Sequence, residues 1–186
     1  EELHGMTIVL SLIHPKSRGS VALRSADPRH PPRVDLNFFD DPTDMATLVA
    51  GIRTVLALLH SPAMLEFTDG NVSMLVDWDK CPGSPCRCPP ANLSAAPDSF
   101  WECFIMHTAQ TQWHQSCTAK MGGLDDPLAV LDSRLRVRHA KGLRVVDSSA
   151  FPSVPGGNIY AATVMLAEKA ADMIIADHRL RVEGTT

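Results

Sequence analysis

The sequence predicts an α+β fold: an antiparallel sheet with packed helices over residues 1–110, then strands and a terminal helix over 111–186. Three observations carry this expectation. The stretch "SRGSVALRSADPRHPPRVDLNFF" holds two strand-like runs separated by turn residues. "TDMATLVAGIRTVLALL" places its apolar residues at helical spacing, and "YAATVMLAEKAADMIIA" is rich in alanine and long apolar side chains.

The strands are centred on Val21 to Leu23 and on Arg33 to Phe38. In the second, Val34, Leu36 and Phe38 alternate with Asp35 and Asn37, the period of a half-buried strand, and Asp27 with the following prolines supplies the turn. Met45, Leu48, Val49, Ile52, Val55, Leu56 and Leu59 then form one apolar helical face. Thr43 or Asp44 caps its start, Ser61-Pro62 ends it, and the face is expected to pack on the sheet. Residues 78–100, rich in Pro, Gly, Ser and Cys, have no period, and a loop that long is usually tied down or functional. "FWECFIMHTA" returns to order in strand-like fashion, with Phe100, Trp101, Phe104 and Ile105 as core. Leu143 to Val146 reads as a buried strand, "PSVPGGN" as a turn, and Ala161 to Ala176 as a helix with Glu168, Lys169 and Asp172 on its wet edge.

The 186 residues can bury a real core, and 45% hydrophobic with 20% charged residues is ordinary for a soluble globular protein. A net charge of -4 is too mild to argue for nucleic acid or an anionic membrane surface as partner. No apolar run approaches the ~18 residues of a spanning helix, so no membrane span is expected. The chain starts at Glu1 rather than Met, as expected of a mature or excised piece. Five cysteines include Cys81, Cys86, Cys88 and Cys103 in one region, with Cys117 apart. The C-x4-C and C-x-C spacings of "CPGSPCRCPP" match no standard zinc pattern. Two N-x-S sequons, at Asn71 and Asn92, lie beside the cluster. Together they point to a secreted, extracellular glycoprotein with one or two disulfides; free cytosolic thiols are the alternative.

In "TQWHQSCTAKMG" nothing repeats with helical or strand spacing, so packing alone does not account for His114. His107 lies seven residues earlier, but no third ligand is spaced to help, and no metal site is expected. The stretch "GGNIYAAT" opens the terminal helix. Helix-start amides lack intrahelical partners and carry partial positive charge, and glycines admit close approach, so it is either a cradle for an electron-rich group or a tight turn with Asn158 as N-cap. There is no G-x-S-x-G, P-loop or G-x-G-x-x-G.

Taken in order, "WHQSCTAKMG", "DDPLAVLDSRLRV" and "GLRVVDSSAFPSVPGGNIYAATVMLAEKAADMII" resemble the C-terminal part of the glucose-methanol-choline (GMC) flavin oxidoreductases. Upstream, "HPKSRGSVALRSADPRHPPRVDLNFF" and "GIRTVLALL" are similar to that family's substrate domain, and "WECF" with the cysteine loop is closest to its arthropod glucose-dehydrogenase-like branch. The resemblance implies that His114 is the catalytic base and Asn158 the second active-site residue. An FAD ring would lie beside both and beside Trp113 and Ile159, with Asp147 near the ribityl-phosphate chain. It implies a substrate-binding domain over 1–110 and an active-site segment over 111–186. That segment would complete a Rossmann-type FAD domain whose G-x-G-x-x-G half this chain lacks; the half would come from the same precursor or a second chain. The expected activity is oxidation of an alcohol or sugar CH–OH by hydride transfer to FAD. A non-catalytic GMC-like module is the alternative, and the scaffold also supports lyase chemistry.

Three positions depart from the family pattern. Cys117 stands where glycine is usual after the histidine, His139 where one is expected before "LRVVD", and Tyr160 where a smaller polar residue is common. A side chain on backbone that needs positive φ costs about 1 kcal/mol. Cys117 reads as a redox thiol or as a small buried residue.

Overall fold

A computed structural model describes residues 6–68, 72 and 92–178 of the chain. It falls into two compact units, Glu1–Gly19 with Leu36–Gln110, and Ser20–Asp35 with Thr111–Thr186.

The first unit is helical. Helix α1, Pro42–Leu59, is capped by Asp41 rather than by Thr43 or Asp44, two and three residues later; its carboxylate accepts the Thr43 amide at 2.8 Å. That frees Asp44 for another task. Its buried carboxylate accepts the Lys16 and Ser17 amides at 2.8 Å each, while Ser17 Oγ accepts the Asp41 amide at 3.0 Å. The extended segment before the helix is thus fastened to its first turn from both sides. Burial pushes the Asp44 carboxyl up, but those donors outweigh it and hold the group below its ordinary value. His60 ends α1, and Ser61 caps the short helix α2, Pro62–Leu65.

The stretch 100–109, expected to be strand-like, lies almost wholly in helix α3, Asp98–Thr108. The reason is visible in the spacing of Phe100, Trp101, Phe104 and Ile105, which is i, i+1, i+4, i+5 and fits one helical face. Phe100, Trp101 and Ile105 are buried with Val49 and Leu56 of α1 in one core, and Phe104 packs against it. Trp101 meets Phe100 and Phe104 edge-on, with ring centroids 5.0 and 5.9 Å away. Arg53 of α1 pins the start of α3 by donating to the Ala96 carbonyl at 3.0 Å and pairing with Asp98. The expectation that α1 packs on a sheet is therefore corrected: its partner is α3. By length and composition alone α1 could also cross a membrane, contrary to the expectation that no run is long enough; its buried face belongs to the α1–α3 core.

In the second unit, β1 (Ser20–Ala22) and β2 (Arg33–Asp35) pair antiparallel with Val21 opposite Val34. Every residue of both strands is exposed, so the half-buried pattern read from Val34 is not realised. A two-stranded ribbon has no second layer of its own to bury a face against. Leu143 to Val146 is not a strand but an irregular segment with one bridge, Arg136 to Arg144. Val145 and Val146 nevertheless pack on the core of Leu131, Leu135, Ala150, Phe151, Leu166 and Ala170. The last two residues come from α4, Tyr160–His178, whose Glu168, Lys169 and Asp172 are exposed as expected.

Arginines stitch the irregular parts together. Arg138 donates to the Gly122 and Gly123 carbonyls at 2.5 and 2.9 Å. Asp177 near the end of α4 accepts from Arg134 at 2.5 Å and from Arg144, and those two guanidiniums, Arg134 first, hold its carboxyl below the usual range.

Cys117 is a free thiol and Cys103 is disulfide-bonded. Cys81, Cys86, Cys88, Asn71 and most of the expected 78–100 loop lie outside the described residues.

Candidate active site

Two segments far apart in sequence are held on one core. The first runs from Thr111 to Met121. Its Cys117, Ala119 and Met121 amides donate to the carbonyls of Ser148, Ser149 and Ala150 at 3.1, 2.9 and 3.0 Å. Bonding at every second residue gives this stretch a strand-like ladder without a formal sheet. Ser148 Oγ adds a bond to the Gln115 carbonyl at 3.1 Å. Cys117 and Met121 face the second unit's core, and so do Ile159 and Ala162 at the start of α4. The loop carrying His114 and the turn carrying Asn158 are both anchored there.

The result is contact across 44 positions: His114 Nε2 lies 2.9 Å from Asn158 Oδ1. The other ring nitrogen, Nδ1, lies 2.6 Å from the Gln112 carbonyl oxygen. A carbonyl only accepts, so Nδ1 carries a hydrogen in this arrangement. In the neutral ring Nε2 then offers its lone pair, and the Asn158 amide, turned over, donates to it through Nδ2. When the ring is protonated, Oδ1 accepts instead. The carboxamide can serve both protonation states because its two ends are of similar shape and opposite hydrogen-bonding sense.

Around this pair is an open cavity of about 470 Å³ lined by Trp113, His114, Ser148, Asn158, Ile159, Tyr160 and Thr163. Trp113 and Tyr160 are 75% and 80% exposed, so two large aromatic faces stand at its edge unburied by this chain. Trp113 holds φ +57, in the left-handed region. Helix α4 begins at Tyr160, two residues after Asn158, and its first intrahelical bond runs from the Thr163 amide to the Ile159 carbonyl at 2.9 Å. The reading of Asn158 as N-cap is thus corrected: its side chain meets His114. The amides of Tyr160, Ala161 and Ala162 have no acceptor within the helix.

Of the residues singled out by sequence, Trp113, His114, Asn158 and Ile159 come together at this cavity. Asp147 does not line it; its carboxylate accepts the Ser149 amide at 2.7 Å and caps the 3-10 turn Ser148–Ala150. Ser148, Tyr160 and Thr163 were missed as lining residues, Tyr160 having been noted only as a departure from the family pattern. Ser148 directly follows the "LRVVD" run, and Thr163 lies one helical turn beyond Ile159, which were the available signals. Among the described residues no group of three or more His, Cys, Asp and Glu is placed to hold a metal ion.

The sequence profile of the GMC oxidoreductase C-terminal domain matches residues 15–167. The chain belongs to the GMC oxidoreductase family. It is 37% identical over 164 residues to glucose dehydrogenase [FAD, quinone] of Drosophila pseudoobscura pseudoobscura, covering 88% of this chain and 24% of that protein. It is 36% identical over 172 residues to oxygen-dependent choline dehydrogenase of Vibrio vulnificus, covering 92% and 28%. A fungal aryl-alcohol oxidase structure superposes with a TM-score of 0.70 at 31% identity, over 90% of this chain and 25% of that one. This chain therefore spans about a quarter of the length of its relatives. FAD is the cofactor of the family, of which the chain is the C-terminal part.

Proposed function

We propose that this chain supplies the active-site part of an FAD-dependent oxidoreductase that oxidises a CH–OH donor, an alcohol or a sugar. The observation that carries the reading is the His114–Asn158 contact at 2.9 Å in an open cavity. Residues 1–110 are assigned to substrate binding and 111–186 to the active site, with the Rossmann-type half supplied by polypeptide beyond this sequence.

The residues present fit a bound flavin ring. A Cβ built on Gly157 meets nothing within 4 Å, so the turn before α4 leaves open space that the chain's own packing does not use. The free amides at the start of α4 suit an electron-rich edge, and Trp113, His114, Asn158 and Ile159 flank the space. Asp147 is adjacent in sequence to the cavity-lining Ser148 and is proposed to face the ribityl-phosphate chain. FAD, when bound, supplies the hydride acceptor.

The work of the chain itself is proton handling and orientation. A carbinol carbon releases hydride more readily as its hydroxyl proton departs. Nε2 of His114 is directed at the cavity with Nδ1 already occupied by a carbonyl, so it is the nitrogen that takes that proton. The Asn158 amide donates to the same substrate oxygen and fixes its direction. The hydroxyl proton would pass to Nε2 and the alcohol would become a carbonyl, with bound FAD supplying the acceptor for its hydride. In the full-length, FAD-loaded protein, His114→Ala should slow flavin reduction by roughly 10²-fold or more, the scale of a lost general base. An unchanged rate removes His114 from the mechanism.

The extracellular reading is also part of the proposal. Asn92 is exposed and its Oδ1 accepts the Ser94 amide at 3.0 Å, leaving the sequon at the surface. A mobility shift on glycosidase treatment of the natively expressed protein would support it; an unglycosylated product would remove Asn92 as a glycan site.

A further inference from the structure

His114 owes its ring orientation to the loop that carries it. Trp113, the residue before it, sits at φ +57, a conformation that a bulky residue keeps only where its surroundings hold it. The holding group is the hydroxyl of the half-buried Thr111. Its Oγ1 accepts the Trp113 amide at 3.0 Å and the Gln115 side-chain amide at 3.2 Å, using both lone pairs of a hydroxyl. Between these two anchors the chain turns so that the Gln112 carbonyl meets Nδ1 of His114 at 2.6 Å.

We propose that Thr111 is a positioning residue for His114: its doubly accepting hydroxyl fixes the 111–115 turn, and through the Gln112 carbonyl it keeps the imidazole hydrogen on Nδ1, with Nε2 directed at Asn158. The ring itself is held by the Gln112 carbonyl and by Asn158, and Thr111 holds the turn that presents that carbonyl. The consequence for catalysis rests on the reading of His114 as the base; the choice of tautomer does not. Valine matches threonine in shape and lacks the acceptor, whereas serine keeps it. The pair Thr111→Val and Thr111→Ser therefore separates hydrogen bonding from packing.

The test uses the full-length, FAD-loaded protein labelled with ¹⁵N at histidine, with the His114 signals assigned by their loss in His114→Ala. In the wild type and in Thr111→Ser, the neutral His114 ring should carry its hydrogen on Nδ1. In Thr111→Val it should populate the Nε2-protonated form. With glucose, choline and an aryl alcohol as probe substrates, Thr111→Val should lower the maximal rate of flavin reduction by about tenfold while leaving KM within about twofold, as expected of lost alignment rather than lost binding. Thr111→Ser should restore most of that rate. A wild-type ring protonated on Nε2, a measurement that needs no variant to fold, would overturn the proposal. So would a Thr111→Val protein with unchanged tautomer. If His114→Ala left flavin reduction intact while the tautomer still followed Thr111, the base assignment would fall and the positioning role would stand.

Discussion

The first compact unit packs helix on helix: Val49 and Leu56 of α1 meet Phe100, Trp101 and Ile105 of α3. The core of the second draws only Leu166 and Ala170 from a helix; Leu131, Leu135, Ala150 and Phe151 come from turns and irregular backbone. In the first, stability comes from apolar side chains at helical spacing. In the second, backbone amides find carbonyls across a loop ladder and arginines bind several further oxygens; three residues besides glycine, Trp113, Cys117 and Leu135, hold left-handed φ there, against Asn37 and Phe39 just before α1 in the first. Strained backbone of that kind costs free energy, and two of the three lie in the segment that carries His114. The first unit places its left-handed residues at the entry to its core helix, whereas the second places two of its three beside the candidate site.

The largest test of that contrast is Trp101, which is 2% exposed. Trp101→Ala should cost about 3–5 kcal/mol, the range for deleting a buried large aromatic, with hydrogen exchange accelerating in α1 and α3. Its indole Nε1 is buried with no hydrogen-bond partner among the described residues. Trp101→Phe, which removes that orphaned donor while keeping a ring, should therefore cost far less than Trp101→Ala. If the two substitutions proved equally damaging, ring packing would not be what holds the first unit.

Asp44 tests a polar lock in the same unit. Asp44→Ala leaves the part-buried Lys16 and Ser17 amides without their acceptor and should cost about 1–3 kcal/mol, toward the lower end because water can reach them. The pH dependence has a definite sign. The folded-state carboxyl lies below its ordinary value of 3.8, so its contribution is complete above the unfolded carboxylate range and is lost as pH falls through the lower, folded value. Acid unfolding monitored below about pH 4 should thus show a shallower pH dependence in Asp44→Asn than in the wild type. Equal slopes would mean that Asp44 is not held charged by those amides.

What the sequence made legible follows the same line between the units. The α1 face was readable because seven apolar residues keep one period over four turns, and α4 because nothing interrupts it. The helix at 98–108 was not read correctly: its apolar residues come as adjacent pairs, Phe100-Trp101 and Phe104-Ile105, too few turns to separate from a buried strand by period alone. The second unit has almost no period to read. There the informative signal was the order of short motifs, and it brought Trp113, His114, Asn158 and Ile159 to one cavity while missing Ser148, Tyr160 and Thr163. It also carried the expectation of left-handed backbone at Cys117, which the structure has at φ +69. The same expectation at His139 fails: that residue lies in a turn without positive φ, and the left-handed position nearby is Gly142, at φ +73. Motif patterns record which residue types are tolerated, but the turn that absorbs the reversal can sit a few positions away.

Cys117 gives the finest test, because two small substitutions should differ in sign from their usual order. At an ordinary position alanine is more stabilising than glycine by roughly 0.5–1 kcal/mol, since glycine has more freedom to lose on folding. At φ +69 a Cβ crowds its own backbone, which costs about 1–2 kcal/mol and outweighs that entropy. Both substitutions lose the thiol that packs against the second core, so the comparison between them cancels that loss. Cys117→Gly should therefore be more stable than Cys117→Ala by up to about 1 kcal/mol, a difference of roughly 2–4 °C in melting temperature for a chain of this size. The amide bond to the Ser148 carbonyl at 3.1 Å survives in both, so the ladder that carries His114 should stay intact. If alanine proved the more stable, the left-handed turn would relax on losing sulfur, and the second unit would be less committed to its shape than the first.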